Sequence, residues 1–114
     1  MKSSPWGAVQ TEQEYAAGVT FVSTAGHGGF HLAGPALDVA KRQFPKFKPF
    51  AGWPWLEEDC DAVLVFLLYP HLFEPKSVKM AIELASKDEY YTGVKEWLNS
   101  PAAVPTHNRA ALVQ

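Results

Sequence analysis

EEDCDAVLVFLLY, residues 57–69, decides how the rest of the chain is read. Glu57, Glu58, Asp59 and Asp61 come directly before the longest apolar run, residues 62–69. Carboxylates suit the first turn of a helix, where unpaired backbone N–H groups carry partial positive charge. Pro70 would end such a helix, because proline disfavours helical backbone in the residue before it. The apolar run leaves no face for water, so the stretch predicts a buried central helix over residues 57–69 with its acidic start at the surface. A membrane span needs about 20 apolar residues, and this run is too short. A strand over residues 63–68 is the rival reading, since short apolar runs fit either element.

Working outward on the N-terminal side, residues 1–5 read as a loose end and residues 6–11 (WGAVQT) as a first strand. Residues 12–18 read as a turn or wide hairpin connection ending in Gly18. Residues 19–24 (VTFVST) are dominated by β-branched and aromatic side chains and predict the best strand of the chain. The glycine-rich AGHGG at 25–29 predicts a turn, in which Gly26, Gly28 and Gly29 supply backbone freedom, and FHL at 30–32 a returning strand. Pro35 opens a helix over residues 35–44, with Leu37, Ala40 and Phe44 facing inward.

The stretch 44–55 (FPKFKPFAGWPW) is broken by three prolines and predicts irregular chain folded back over the core. Beyond the central stretch, residues 75–86 predict a third helix with Val78, Ile82 and Ala85 on one face. Residues 88–99 predict a fourth, anchored by Tyr91, Val94, Trp97 and Leu98, and residues 100–114 an extended arm. The fold class is α+β: a small antiparallel meander of two to three strands, then about four helices packed on one face.

The 114 residues fit a single domain, 1–114, and a 47% hydrophobic content is enough to fill a core. A net charge of −2 suits neither a general nucleic-acid binder nor an overall acidic mimic of DNA. One cysteine, Cys60, excludes an intrachain disulfide and a cysteine-based zinc site, which suits a reducing cytosol. The first ten residues lack the apolar segment of a signal peptide.

The chemistry-bearing candidates are few. GHGG could cradle an anion or oxyanion on bare N–H groups, with His27 as a base; the plainer reading is a tight turn with an exposed histidine. His27 and His31 are four apart, which aligns them on a helix but not in a hairpin, and His71 and His107 are isolated. No metal-ligand spacing is present, so no metal and no cofactor are expected. Cys60 could be a nucleophile near a helix start, but the carboxylates before it oppose the thiolate, and a small core cysteine is the plainer reading. Glu57, Glu58, Asp59 and Asp61 could be acid–base groups of a hydrolase, a patch for a basic partner, or helix-start residues facing water. Of the two functional readings, partner binding ranks above catalysis, because the cluster offers charge without evident tuning. Lys41, Arg42, Lys46 and Lys48 interleave with Phe44, Phe47 and Phe50, a pattern that can bind single-stranded nucleic acid. The prolines between them favour inward aromatics and solvated lysines instead, so direct nucleic-acid binding is not expected.

Two longer segments, SPWGAVQTEQEYAAGVTFVSTAGHGGFHL at 4–32 and WLEEDCDAVLVFLLYP at 55–70, carry a resemblance. The matching positions are Pro5, Trp6, Gly7, Val9 and Gln10, residues 22–29 with Leu32, and residues 57–60. They resemble a small domain family without assigned activity, carried by phages, plasmids and other mobile elements of bacteria. The resemblance implies a small inhibitor of host defence in the bacterial cytoplasm that acts by protein–protein binding. An anti-CRISPR protein of a type I system is the specific expectation, with the Cas3 helicase-nuclease or the crRNA-guided surveillance complex as partner. The family supplies no catalytic residue. The candidate partner surface is Glu57, Glu58, Asp59 and Asp61, the aromatics Phe47, Phe50 and Trp53, and His27. No membrane partner is expected, and any self-association is expected to give a symmetric homodimer. A small hydrolase-like enzyme built on His27 and the glycine-rich turn, and an accessory nucleic-acid binder, are the alternatives.

Overall fold

The structure, a computed structural model, describes residues 1–100. The arm expected at 100–114 lies, from residue 101 onward, outside the described residues. The fold is α+β, with antiparallel sheets of two and four strands and helices of which the first precedes the last strand. The described residues form two compact units: residues 1–39 with 48–62, and residues 40–47 with 63–100.

The first unit begins with a hairpin of β1 (Ser3–Ser4) and β2 (Gly7–Ala8). No strand pattern marks these residues; the Ser4 hydroxyl makes the turn, donating to the Gly7 carbonyl at 2.9 Å and accepting the Trp6 N–H at 3.2 Å. The expected first strand over 6–11 is therefore displaced. β3 runs Thr11–Ala16, through residues read from sequence as a connection. It is an edge strand, and its exposed TEQE run has the charged and polar character that blunts sheet edges. β4 (Val19–Ser23), β5 (Gly28–Leu32) and β6 (Trp55–Glu57) complete a four-stranded meander in the order β3-β4-β5-β6, all antiparallel.

The register sorts side chains by alternation. Val19 pairs with Leu32, Phe21 with Phe30 and Phe30 with Leu56, so these share one face. Phe21 and Phe30 meet edge-to-face at 5.1 Å. The other face carries Val22 opposite Gly29 and His31 opposite Trp55. Trp6 covers that face, its ring 5.6 Å from Trp55 and lying directly on Gly29. A Cβ at Gly29 would collide with that ring and with the Leu56 carbonyl, at 2.5 Å. Gly28 and Gly29 are thus buried strand residues, not turn residues, and neither they nor Gly26 has positive φ. Their small size serves close packing instead.

Helix α1 (Pro35–Gln43) starts at proline, as expected, and runs through the boundary between the units at residues 39 and 40. Residues 48–54 are turns and irregular chain, with Gly52 at φ 83° and a cis Trp53–Pro54 peptide.

The expected helix over 57–69 is corrected at its start. Trp55–Glu57 is strand β6, residues 58–62 are turn, and helix α2 spans only Val63–Leu68. The acidic residues therefore do not decorate a helix's first turn. The reason is Asp61, which is fully buried and accepts backbone N–H groups of Phe50 and Glu57 at 2.9 and 3.3 Å. An aspartate that bonds nearby main chain offers it an alternative to the helix ladder.

In the second unit α2 packs on α3 (Pro75–Lys87), and α3 on α4 (Val94–Leu98). The apolar run is helical rather than extended, and Val63, Leu64, Val65 and Leu67 are buried. α4 is shorter than expected, because it starts after Gly93, whose φ is 82°. Phe47 is buried and stacks on Tyr91 at 6.2 Å. Trp97 packs on Phe44 at 4.8 Å and donates its indole N–H to Gln43 Oε1 at 2.8 Å.

Candidate functional site: the acidic turn, His27 and Phe50

The site lies in the first unit, where two turns meet at one end of the four-stranded sheet. The β4–β5 connection, residues 24–27, is closed by Thr24. Its N–H and hydroxyl both donate to the His27 carbonyl, at 2.8 and 2.7 Å, and its oxygen accepts the His27 N–H at 3.1 Å. The second turn leaves β6. Glu58 N–H donates to the Gly28 carbonyl at 3.1 Å, continuing the β5–β6 pairing by one step, and Ala62 N–H closes back on the Glu57 carbonyl at 3.0 Å. The β5–β6 register thus sets the acidic turn beside His27.

Glu57 points inward, with only 8% of its surface exposed. Its Oε2 accepts the Asp59 N–H at 3.0 Å and the Cys60 thiol at 3.2 Å, and its Oε1 lies 3.6 Å from His27 Nδ1. The Cys60 thiol also reaches Asp61 Oδ1, at 3.7 Å. Two carboxylates at a thiol disfavour its ionisation, which argues against a thiolate nucleophile. Asp61 ties the proline-rich loop to the β6 exit through the Phe50 N–H, and the Phe50 side chain stands 81% exposed. Trp6, His27, Phe50, Glu57 and Cys60 line a mostly apolar depression of about 410 Å³.

Of the residues named from sequence, His27, Phe50 and Glu57 come together at this depression, with exposed Glu58 and Asp59 on the same turn. Asp61 is removed from the surface: it is 0% exposed and its carboxylate is a structural acceptor. Phe47 is also removed, at 2% exposure within the second unit's core. Trp53 is half-buried and does not line the depression. The anion cradle expected of GHGG is not an open turn, since Gly28 and Gly29 belong to the ladder. Phe44 is buried like Phe47, which leaves Phe50 as the exposed phenylalanine among the basic residues 41–48. Trp6 is not among the site residues expected from sequence, which places it only on a first strand and within the matching pattern; a Trp-Gly pair ahead of a glycine-bearing strand is the signal that was available. No helix among the described residues is long and apolar enough to cross a membrane.

No curated protein and no solved structure matches the chain. The family that does match covers residues 1–113, and by it the chain belongs to the family described as a domain of unknown function, DUF7007.

Proposed function

We propose that this protein is a phage- or mobile-element-encoded inhibitor of a host defence system that acts by binding another protein. An anti-CRISPR protein directed at a type I system, at Cas3 or the surveillance complex, is the specific reading. The observation that carries the binding mode is Phe50. A phenylalanine exposed to 81% on a loop pinned by a buried aspartate joins the apolar depression beside it into one contiguous patch, and it is a patch rather than a lone side chain that marks a contact surface. It stands beside an apolar depression lined by Trp6 and next to the exposed carboxylates of Glu58 and Asp59. An aromatic anchor with a charged rim is the usual energetic layout of a protein interface. The choice of target rests on the resemblance to mobile-element domains. Binding would occur in the bacterial cytoplasm, at the host machinery.

The test is co-elution on size-exclusion chromatography with the type I surveillance complex and with Cas3, each separately, in moderate salt. Co-elution with one of them, lost in Phe50→Ala and weakened in Glu58→Lys, is the expected result. Absence of co-elution with both would sink the anti-CRISPR assignment. Co-elution untouched by Phe50→Ala would sink the assigned surface.

A further inference from the structure

We infer that His27, Glu57 and Asp59 form a binding site for a divalent transition-metal cation of the zinc type. Their ligand atoms all lie within 4.8 Å of one another. His27 Nδ1 and Glu57 Oε1 are 3.6 Å apart. Two ligands at about 2.0–2.1 Å from a tetrahedral Zn²⁺ stand about 3.4 Å from each other, so this pair already has the spacing of a coordinated one. Asp59 is exposed, and rotation of its side chain closes the remaining gap.

Three features separate this group from an ordinary acidic cluster. First, the donors are of two kinds, an imidazole and two carboxylates, brought together by the β5–β6 register from positions far apart in sequence. Second, the Glu57 side chain is 11% exposed and its Oε1 faces the His27 imidazole at 3.6 Å, an ion-pair distance rather than a hydrogen bond; no buried side-chain oxygen among the described residues lacks a partner, so this oxygen is one that an ion can reach. Third, its other oxygen is fixed by the Asp59 N–H and the Cys60 thiol, the outer contacts that orient a ligating carboxylate. Cys60 is a positioning residue in this arrangement. The two carboxylates and a neutral imidazole balance a divalent charge, and the exposed side leaves a coordination position for water. This site is independent of the partner-binding reading: it requires no second protein, and its test uses the metal alone.

The experiment is titration of the purified full chain with Zn²⁺ against a chromophoric chelator, together with the thermal midpoint with and without Zn²⁺. One equivalent bound per chain, with a raised midpoint, is the expected result for the wild type. His27→Ala and Asp59→Asn replace exposed side chains, so both retain the fold, and each is expected to weaken Zn²⁺ at least tenfold. Glu57→Gln does the same, its folding checked by circular dichroism. Glu58→Gln removes the neighbouring carboxylate and keeps binding within threefold; Cys60→Ser keeps binding within tenfold. The assignment is overturned if the wild type binds no Zn²⁺, if His27→Ala binds as wild type does, or if Glu58→Gln weakens binding as much as Asp59→Asn.

Discussion

Replacing Asp61 with alanine tests the account of how the central stretch folds. The side chain is fully buried, and its Oδ2 accepts the Glu57 N–H at 3.3 Å and the Phe50 N–H at 2.9 Å. The Glu57 donor is buried with the residue, and losing its acceptor leaves it unpaired at a cost of about 2 kcal/mol. The Phe50 donor is only partly buried, so water replaces much of its bond and the loss is about 1 kcal/mol. Asp61→Ala should therefore destabilise the protein by about 3 kcal/mol, a large part of the roughly 5–15 kcal/mol typical of a domain. Asp61→Asn keeps an acceptor of the same shape and exchanges charge-assisted bonds for neutral ones, so about 1 kcal/mol is expected. Urea unfolding followed by tryptophan fluorescence reads both, and with a slope of about 1.5 kcal/mol/M the alanine midpoint should fall by about 2 M. Amide exchange adds a local readout: the Phe50 and Glu57 amides should lose protection together. An alanine variant within about 0.5 kcal/mol of wild type would refute the claim that this carboxylate holds the loop and the strand exit together. Equal losses in the alanine and asparagine variants would place the stabilisation in the charge rather than in the two accepted bonds.

Gly29→Ala puts a Cβ against both the Trp6 ring and the Leu56 carbonyl, and a carbonyl inside a ladder cannot rotate away. A loss of about 3 kcal/mol is expected, not restored by adding Trp6→Ala, because the carbonyl at 2.5 Å remains; full rescue by the double variant would overturn this. Phe50→Ala should leave the urea midpoint almost unchanged, since the side chain is 81% exposed, while removing partner co-elution; a destabilised variant would mean the ring packs in the fold. Burial lowers the His31 pKa from its usual 6.5, with the Met1 amino group adding to the effect and Glu12 partly opposing it. The unfolded chain therefore takes up this proton at a higher pH than the folded one, so the contribution is intact above about 6.5 and is lost as pH falls through the folded value. An NMR titration midpoint for His31 below 6.5, and a flatter acid limb of stability in His31→Phe, which keeps a ring against Trp55, are expected; a midpoint at or above 6.5 reverses the sign.

Much of the fold was legible where local chemistry and tertiary context agree. Val19–Ser23 reads as a strand because β-branched and aromatic side chains suit a surface covered on both faces. Pro35 and Pro75 mark helix starts because a first-turn residue needs no N–H. β3 was not legible, because an edge strand with TEQE needs its partner strand to identify it, and its own pattern imitates a polar connection. Gly28 and Gly29 were misread for a related reason. Glycine signals either backbone freedom or a close neighbour, and only the position of Trp6 separates the two. At the site, the acidic turn and His27 were visible as residues, but their meeting depends on the pairing of Gly29 with Glu57, which no spacing in the sequence encodes.

The acidic stretch shows why its helix reading was persuasive and how it failed. Glu57 and Asp61 point inward while Glu58 and Asp59 face solvent, which is also the pattern a helix would produce at positions i and i+4. The Ala62 N–H closing on the Glu57 carbonyl makes this turn one residue longer than an α-helical one, yet it hides the same side chains. Burial periodicity therefore cannot separate the two structures; the destination of the Asp61 carboxylate does. In a helix start it would face free N–H groups of its own turn. Here it reaches back to Phe50 and Glu57, which frees the helix to begin at Val63 and leaves Phe50 held outward. That one change of partner converts four surface charges into two. Glu58 and Asp59 remain exposed toward another protein, Asp59 being shared with the His27 and Glu57 cluster, and Asp61 is committed to the backbone. A binding surface on this turn must then draw its affinity from Phe50 and the Trp6-lined depression, with the two remaining carboxylates steering approach rather than supplying most of the energy.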